Sequence, residues 1–366
     1  MARIRDLRNY LEKGIADRDR QYDWDNSGNQ IVPDDREINK AAFALDPSEK
    51  VINKAIEEGC EVLITHHPLF FGSLKSLNFD KPFDRKIIKA IQNGLAVLSH
   101  HTSLDLADYS LNDHLCALLG GKVEETLVSE GRTEMVKFVV FVPVTHSQAV
   151  RETMAAAGAG NIGNYSDVSF SAEGTGRFKP CDGANPFIGT PGALEEVHEH
   201  RIETIIERSK ITNLIKEVIK AHPYEEVAYD VYPVLGGAEY GLGRIASFEA
   251  AMPMSRFLDH VRFVLGADAL RVNTSDLSGK VKRFAVVTGS GASLWKKCIG
   301  RTDVLVTGDL KHHEALDARE AGITVIDGGH FHTERIFMKY LAEQISKQFN
   351  IKSVLIDEEP PIINWR

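Results

Sequence analysis

Eight of the 14 histidines come in four close groups, and this placement carries most of the chemical information in the sequence. The groups are His66-His67, His100-His101, His312-His313, and His330 with His332. Acidic residues accompany them at Asp105, Asp309, Asp327 and Glu334. Neutral imidazole and carboxylate groups are common ligands of zinc, manganese, iron and nickel. The pattern therefore predicts a metal-binding site.

Predicted strands place these groups. Three groups directly follow apolar runs that are typical of parallel strands covered on both faces, at 61–65, 95–99 and 323–327. His312-His313 comes a few residues after a fourth run, 303–307. Since the carboxyl ends of strands in open α/β sheets converge on a crevice, we expect both halves of the chain to direct imidazoles to one region.

Two of these groups suit metal ligation. His330 and Glu334 are four residues apart at the start of a predicted helix, so they share one face. A carboxylate between two cations can bridge them, and such paired metals activate water. His66 and His67 end a buried strand, where ionisable side chains need partners or a metal. These four residues are therefore candidate ligands.

The other acidic residues and histidines have more than one explanation. Asp309 and Asp327 could be ligands or helix N-caps in strand-to-helix turns. Asp105 could also cap a turn, although its position four residues after His101 favours a ligand. Isolated histidines are usually hydrogen-bonded structural residues, which is the expectation for His114, His146 and His260.

A glycine-rich turn, VTGSGAS at 287–293, opens a predicted helix. Its backbone N–H groups could bind an anion, but the turn lacks the G-K-[ST] sequence of a P-loop. Close packing of the strand against the helix would explain the glycines equally well. The turn therefore leaves phosphate binding open.

The outer parts of the chain alternate strands and helices, which predicts two similar α/β halves with mostly parallel strands. The first half has predicted strands at 41–45, 61–65 and 95–99 and helices at 4–15, 47–59 and 84–94. The second half has predicted strands at 284–288, 303–307 and 323–327 and helices at 293–300, 311–321 and 332–349. The fold class is therefore α/β.

The middle of the chain has the order βαββαβ, which is typical of a ferredoxin-like domain. Its predicted strands cover 135–144, 166–171, 200–207 and 226–234, and its helices cover 147–157 and 211–222. We therefore predict a discontinuous core domain, residues 1–132 and 236–366, and an inserted domain, residues 133–235.

Composition excludes several classes of protein. The 366-residue chain has 43 Lys+Arg against 52 Asp+Glu, a formal charge of −9, which argues against binding to nucleic acid or anionic membranes. Its four cysteines lie far apart, so neither a disulfide framework nor a thiolate zinc site is expected. No apolar run approaches the roughly 18 residues of a membrane span, and the first residues do not resemble a signal peptide. We expect a cytoplasmic globular protein.

Five motifs, in this order, resemble those of a known family. They are WDNSG (24–28), ITHHPL (64–69), HTSLD (101–105), TGDLKHH (307–313) and GHFHTE (329–334). Over nearly its whole length the chain resembles the GTP cyclohydrolase 1 type 2 homologue family, a NIF-three-like group of dinuclear metal proteins. Two further motifs, ANPFIG (184–189) and HPYEE (222–226), are similar to the PII/CutA-like insert of its longer bacterial members.

The resemblance implies two divalent metal ions per chain, with zinc expected first and manganese, iron, nickel or cobalt as alternatives. The implied ligands are His66, His67, Asp105, His330 and Glu334, with the glutamate bridging the ions. His101 is the candidate base or a donor that supports the ligands, and His313 is the next candidate. The chain departs from the family pattern at Ser103, usually Asn, and at Asn29, usually Leu. A ring-shaped homohexamer is also implied.

Two functions remain open at this point. The first is a metal-dependent hydrolase that opens the purine ring of GTP, the substrate in the family's name, with metal-activated water and a histidine that carries protons. The second is a non-enzymatic protein that binds or handles metal and senses a small ligand through its insert. The histidines and carboxylates support the metal centre, whereas no Lys/Arg cluster indicates triphosphate binding.

Overall fold

The chain forms two compact units. The computed structural model describes residues 2–363. The core unit consists of Met1–Glu130 together with Tyr240–Arg366, and the middle unit consists of Gly131–Glu239. The core unit is therefore built from two separate stretches of sequence.

Both units have a mixed α/β architecture. Within residues 2–363 the strands are β1 (Gly28–Ile31), β2 (Lys40–Ala44), β3 (Val62–Thr65), β4 (Ala96–Ser99), β5 (Lys122–Arg132), β6 (Met135–Pro143), β7 (Phe170–Phe178), β8 (Glu195–Glu207), β9 (Tyr229–Val234), β10 (Glu239–Pro253), β11 (Arg271–Val272), β12 (Lys280–Val286), β13 (Val304–Thr307), β14 (Thr324–Asp327) and β15 (Lys352–Leu355). The α-helices are α1 (Ile4–Tyr10), α2 (Glu49–Glu57), α3 (Pro82–Gln92), α4 (Thr102–Asp105), α5 (Leu111–Leu118), α6 (Ser147–Ala156), α7 (Ile211–Ala221), α8 (Met254–Leu265), α9 (His312–Glu320) and α10 (His330–Phe349).

The first sheet of the core unit has the order β1-β4-β3-β2-β15. Strands β4, β3, β2 and β15 are parallel, and β1 pairs antiparallel at the edge. Successive side chains of β2 point to opposite faces, so Phe43 packs with α1 and α10, whereas Ala42 packs with α2 and α3. Helices therefore cover both faces, which explains why β3 and β4 are apolar at consecutive positions.

The second sheet of the core unit has the order β11-β14-β13-β12-β10-β5. Its central strands β12, β13 and β14 are parallel, whereas β10 and β11 pair antiparallel with β12 and β14. The prediction of mostly parallel strands therefore holds for the centre of this sheet and is wrong towards its edges. The residues of β10 include Gly241 and Gly243, and β11 has only two residues, so neither strand has the apolar run that marks the centre.

Two predicted helices differ from the observed ones. The helix predicted at 293–300 is a 3-10 helix, Ala292–Cys298, and the helix predicted at 4–15 becomes a π-helix after Tyr10. Both segments are short and either contain glycine or lie next to it, which weakens regular α-helix. Neither difference moves the ends of the strands that carry the histidines.

The longest helix among the described residues, α10, joins the cores of the two sheets in the core unit. Phe337 and Leu341 are fully buried in the core beneath the first sheet, and Ile336 packs against the core beneath the second. Apolar side chains therefore lie on more than one side of this helix, and each of these sides packs against the core of a different sheet. Within residues 2–363, no helix combines the length and the apolar character that crossing a membrane requires.

The sheet of the middle unit has the order β7-β8-β6-β9, with antiparallel neighbours throughout. Helices α6 and α7 cover one face, where Phe138 and Ile202 are fully buried. The strand predicted at 166–171 lies mostly later, in β7. Its sequence, FSAEGTGRF, has no regular apolar alternation, so the sequence does not mark where this strand begins and ends.

Replacing Phe337 by Ala should lower the free energy of unfolding of the core unit by about 3–5 kcal/mol, because the fully buried ring leaves a cavity. Phe263→Ala is the matched control, since its side chain, also on a helix, is 84% exposed and its removal should cost less than about 0.5 kcal/mol. Urea unfolding followed by tryptophan fluorescence measures both variants. Equal losses would contradict the placement of α10.

Candidate metal centre

The carboxyl ends of β3 and β4 bring histidines together. β3 ends at Thr65, directly before His66 and His67, and His101 lies two residues beyond the end of β4 at Ser99. Thr65 and Ser99 are paired across these parallel strands, and their hydroxyl oxygens are 2.8 Å apart. Because the two strands end level with each other, imidazoles from two loops meet at one edge of the first sheet.

The second sheet contributes through the loop after β13 and the start of α10. Asp309 follows β13 with a φ of 56°. Gly329 is the N-cap of α10, so His330 is its first residue and Glu334 lies one turn later. This spacing puts both side chains on one face, and Nε2 of His330 is 3.1 Å from Oε2 of Glu334.

Residues from both sheets converge on the carboxylate of Glu334, although His67 and His330 are 263 positions apart in the chain. Oε1 of Glu334 lies 3.7 Å from Nε2 of His66, and Oε2 lies 3.2 Å from Nε2 of His67. Nε2 of His66 is also 4.0 Å from Oδ1 of Asp105. Two groups of residues could each hold a metal ion: His67, His330 and Glu334, and His66, His67 and His101.

Each of four imidazoles is oriented through its Nδ1 atom. The oxygen partners of Nδ1 are Asp46 for His67 (2.7 Å), Asp309 for His330 (2.7 Å), Asp25 for His101 (2.8 Å) and the backbone carbonyl of His100 for His66 (3.0 Å). A proton donated from Nδ1 to oxygen fixes the ring and leaves the lone pair on Nε2. Metal-binding histidines have this arrangement.

The carboxylates at the candidate metal centre stabilise positive charge on the neighbouring histidines. Burial opposes protonation of His67, but the hydrogen bond to Asp46 and the negative charge of Glu334 outweigh it and raise the pKa to about 10. The Glu334 carboxylate beside His330 and the hydrogen bond to Asp309 outweigh burial and raise the pKa of His330 to about 9. Burial would raise the pKa of Glu334, yet the surrounding histidines hold it well below its usual value. The centre therefore attracts cations.

Two buried atoms at the centre lack the partners that their burial requires. Nε2 of His66 and Oε2 of Glu334 make no well-aligned hydrogen bond within the described chain. A buried polar atom without a partner typically costs about 1–3 kcal/mol. A divalent cation would satisfy both atoms, since imidazole nitrogen and carboxylate oxygen are ordinary ligands. The donor set therefore fits a metal ion.

Glycines make room for this arrangement. Gly289 has a φ of +66°, and a Cβ on it would lie 2.0 Å from Oε1 of Glu334. A Cβ on Gly308 would lie 2.6 Å from the backbone nitrogen of His330. Any side chain at these positions would displace the carboxylate or the start of α10.

The glycine-rich turn at 287–293 packs tightly against its neighbours. The N–H groups of Gly289 and Gly291 donate to the hydroxyls of Thr333 and Thr307, at 3.0 and 3.1 Å. N–H groups that are already bonded do not bind an anion. Of the two explanations for the glycines, close packing is therefore the favoured one.

The structure brings together the ligand candidates and the candidate base from the sequence: His66, His67, His101, Asp105, His330 and Glu334. His313 does not belong to the metal-capable groups of the described residues. It is exposed on α9, where its ring contacts His312. Its place as second candidate for the base is therefore not supported.

Asp309 and Asp327, for which the sequence allows two roles, differ in their contacts. Asp309 is not an N-cap, because Lys311 is the N-cap of α9 and the Asp309 carboxylate contacts His330. Asp327 accepts hydrogen bonds from backbone N–H groups of two neighbouring turns. It therefore stabilises the loops that lead to the centre.

Asp25 and Asp46 support the centre, although no motif in the sequence assigns them this role. The side chain of Asp25 is fully buried, and it accepts hydrogen bonds from the N–H and the hydroxyl of Thr102 as well as contacting His101. These contacts outweigh burial and lower the pKa of Asp25. Asp46 lies two residues after β2. The sequence signal for its role is its position. Like the histidines, Asp46 comes just after the carboxyl end of a parallel strand.

Gly289→Ala should destabilise the core unit more than Gly300→Ala. Both glycines have left-handed backbone, with φ of +66° and +71°, but a Cβ at Gly300 meets nothing within 4 Å. Each change should cost about 1–2 kcal/mol of backbone strain, and the clash with Glu334 should add about 1–3 kcal/mol at Gly289. Urea unfolding of the two variants measures the difference. Equal stabilities would show that the Glu334 carboxylate does not lie against this turn.

The chain resembles known proteins along its whole length. The family described as Duf34/NIF3 (NGG1p interacting factor 3) matches residues 2–361. A relative from Bacillus subtilis (strain 168) named "GTP cyclohydrolase 1 type 2 homolog" is 40% identical over 330 residues, 90% of this chain and 88% of its own. A relative of the same name from Halalkalibacterium halodurans is 39% identical over 325 residues, 88% of this chain and 87% of its own.

A solved structure supports the same family relationship. The crystal structure of a Bacillus cereus protein related to NIF3 is 37% identical to this chain, with a TM-score of 0.89, and the match covers 100% of this chain and 99% of that one. A match of this extent includes both stretches of the core unit and the middle unit. The chain therefore belongs to the Duf34/NIF3 family.

Proposed function

We propose that the core unit binds two divalent metal ions at this centre. His66 and Asp105 would hold one ion, His67 and His330 would hold the other, and Glu334 would contribute to both. The observation that carries the proposal is that different imidazoles approach the two oxygens of one buried carboxylate, His66 at 3.7 Å from Oε1 and His67 at 3.2 Å from Oε2. Ligands on both sides of the carboxylate favour two ions over one.

Zinc is the first candidate for these ions. The donors are imidazole nitrogen and carboxylate oxygen without thiolate, a set that also accepts manganese, iron, nickel and cobalt. Three of the imidazoles donate their other N–H to a carboxylate, of Asp25, Asp46 or Asp309. Such outer partners usually strengthen metal binding by 10–100-fold, to order of magnitude, so they support a metal site.

We further propose that the protein is a metal-dependent hydrolase that opens the purine ring of GTP. The names of the relatives at 39% and 40% identity support this choice of reaction and substrate. Divalent ions in such a centre supply a water of lowered pKa and positive charge for a substrate oxygen. The chain's own residues must supply orientation and proton transfer.

His101 is the proposed base. Asp25 accepts a hydrogen bond from Nδ1 of His101 at 2.8 Å, so Nε2 is left to take a proton. Asp25 is itself held by the hydroxyls of Ser27 and Thr102, and these contacts keep the His101 ring in place. The side chain of His101 is 16% exposed whereas that of His66 is 0% exposed, so His101 can pass a proton to solvent and His66 cannot.

We also propose that residues 133–235 form an inserted ferredoxin-like domain of the PII/CutA type. The strand order β7-β8-β6-β9 with two helices on one face supports this proposal.

The proposed assembly is a ring-shaped homohexamer in the cytoplasm. One segment of the core unit exposes four apolar side chains, those of Phe71, Leu74, Leu77 and Phe79. Contact between copies of the chain would remove them from water, which is favourable.

Glu334→Gln should lower the metal content by about one ion or more per chain, because a bridging charge is lost and such sites are sensitive to their ligands. Elemental analysis of purified, unchelated protein measures the content. His260→Ala is the control: its Nε2 lies 3.2 Å from the carbonyl of Leu119, away from the centre, and its metal content should not change. Unchanged content in Glu334→Gln would contradict the bridging role.

Metal-loaded protein should release formate from GTP and reduce the purine absorbance. His101→Ala should lower this turnover by about 10²–10⁴-fold, the usual contribution of a general base, while both ions stay bound. Formate release and elemental analysis on the same samples separate the two effects. Absence of turnover with zinc, manganese, iron, nickel and cobalt alike would overturn the hydrolase proposal and favour a metal-handling protein.

A further inference from the structure

The middle unit contains a cavity of about 700 Å³, within the usual size range of small-molecule sites. It opens on the sheet face opposite α6 and α7. Side chains alternate along a strand, so Phe141 points away from the face on which Phe138 is buried. Residues of the two middle motifs, ANPFIG (184–189) and HPYEE (222–226), line the cavity. The proposed metal chemistry uses neither motif.

A buried carboxylate lies in the wall of this cavity. Glu199 is only 7% exposed, and its Oε1 accepts a hydrogen bond from the hydroxyl of Tyr224 at 2.9 Å. Among the described residues, only Tyr224 donates a hydrogen bond to this carboxylate. A carboxylate can accept several hydrogen bonds, and a ligand in the cavity could donate the further ones.

Two glycines of β7 leave room around the Glu199 carboxylate. A Cβ on Gly176 would lie 2.1 Å from Oε2 of Glu199. Gly174 is the residue paired opposite Glu199 in the sheet, and a Cβ on it would meet nothing within 4 Å. The carboxylate therefore occupies the space above one glycine, and the space above the other is open.

Aromatic rings form much of the remaining wall. The rings of Phe178 and Tyr224 are 5.5 Å apart at 64°, and Phe141 and Phe187 also line the cavity. His222 fixes Tyr224, because its Nδ1 accepts the Tyr224 N–H at 3.1 Å and its Nε2 donates to the carbonyl of Phe141 at 2.9 Å. Fixed aromatic walls favour a planar ring as the ligand.

The arginines at the cavity already have partners. Arg177 pairs with Glu196 at 2.7 Å, and Arg201 pairs with Glu203 at 3.3 Å. Both arginines thus face a carboxylate of the same sheet. Glu199 is the buried side chain of this wall with acceptor sites left, and it favours a ligand with N–H donors.

We propose that this cavity binds a guanine-type base and that Glu199 recognises it by accepting hydrogen bonds from two adjacent N–H groups on its edge. A carboxylate has acceptor sites to spare beyond the one that Tyr224 uses. Guanine presents its N1–H and N2–H₂ groups side by side, whereas adenine presents an acceptor nitrogen beside its amino group. The site therefore discriminates between the two purines, and it stands independently of the hydrolase proposal.

Calorimetric titration of the full chain with guanosine and adenosine tests this proposal. We expect saturable binding of one guanosine per chain, at least tenfold tighter than adenosine. Glu199→Gln, which replaces one acceptor by a donor, and Gly176→Ala, which displaces the carboxylate, should each weaken guanosine binding at least tenfold. Glu173→Gln is the matched control, because Glu173 also lines the cavity but its side chain is 91% exposed. It should bind guanosine as the unchanged chain does.

Glu334→Gln separates this cavity from the metal centre, and it should retain guanosine binding. Guanosine binding that is lost in Glu334→Gln and kept in Glu199→Gln would place the ligand at the metal centre and overturn the proposal. Absence of saturable guanosine binding, equal affinity for adenosine, or full affinity in Glu199→Gln would overturn it as well.

Discussion

The buried negative charge of Glu334 is the constraint on which the core unit depends. Its carboxylate is almost inaccessible to water, and imidazoles of His66, His67 and His330 lie within 3.7 Å of its oxygens. A charge in such surroundings is tolerated only when positive charge or hydrogen-bond donors lie close to it. The first sheet supplies two of these imidazoles, and α10 supplies the third. The two sheets must therefore pack with the ends of their parallel strands facing the same point.

Much of this arrangement could be predicted, because burial on both faces leaves a visible trace in the sequence. The consecutive apolar residues of β3 mark a parallel strand, and His66 and His67 follow it directly. Strands β7 and β10 leave no such trace, since glycine and charged residues interrupt them. The part played by Asp46 could not be predicted with the same ease. An acidic residue after a strand has many uses, and its contact with His67 exists only once β2 and β3 lie side by side.

The two candidate sites have the same physical origin. Glu334 in the core unit and Glu199 in the middle unit are both buried carboxylates that can accept further partners. Glycine makes room for each of them, Gly289 in the first case and Gly176 in the second. They differ in their surroundings: imidazole nitrogens at Glu334 suit a cation, whereas aromatic rings around Glu199 suit a flat organic molecule.

The order of the ligands along the chain has a consequence for biosynthesis. His67 leaves the ribosome 263 residues before His330, which at roughly 5–20 residues per second corresponds to a delay on the order of ten seconds or more. During that time the early histidines exist without the helix that completes their surroundings. A metal ion that needs residues of both sheets would therefore bind only after α10 has been synthesised.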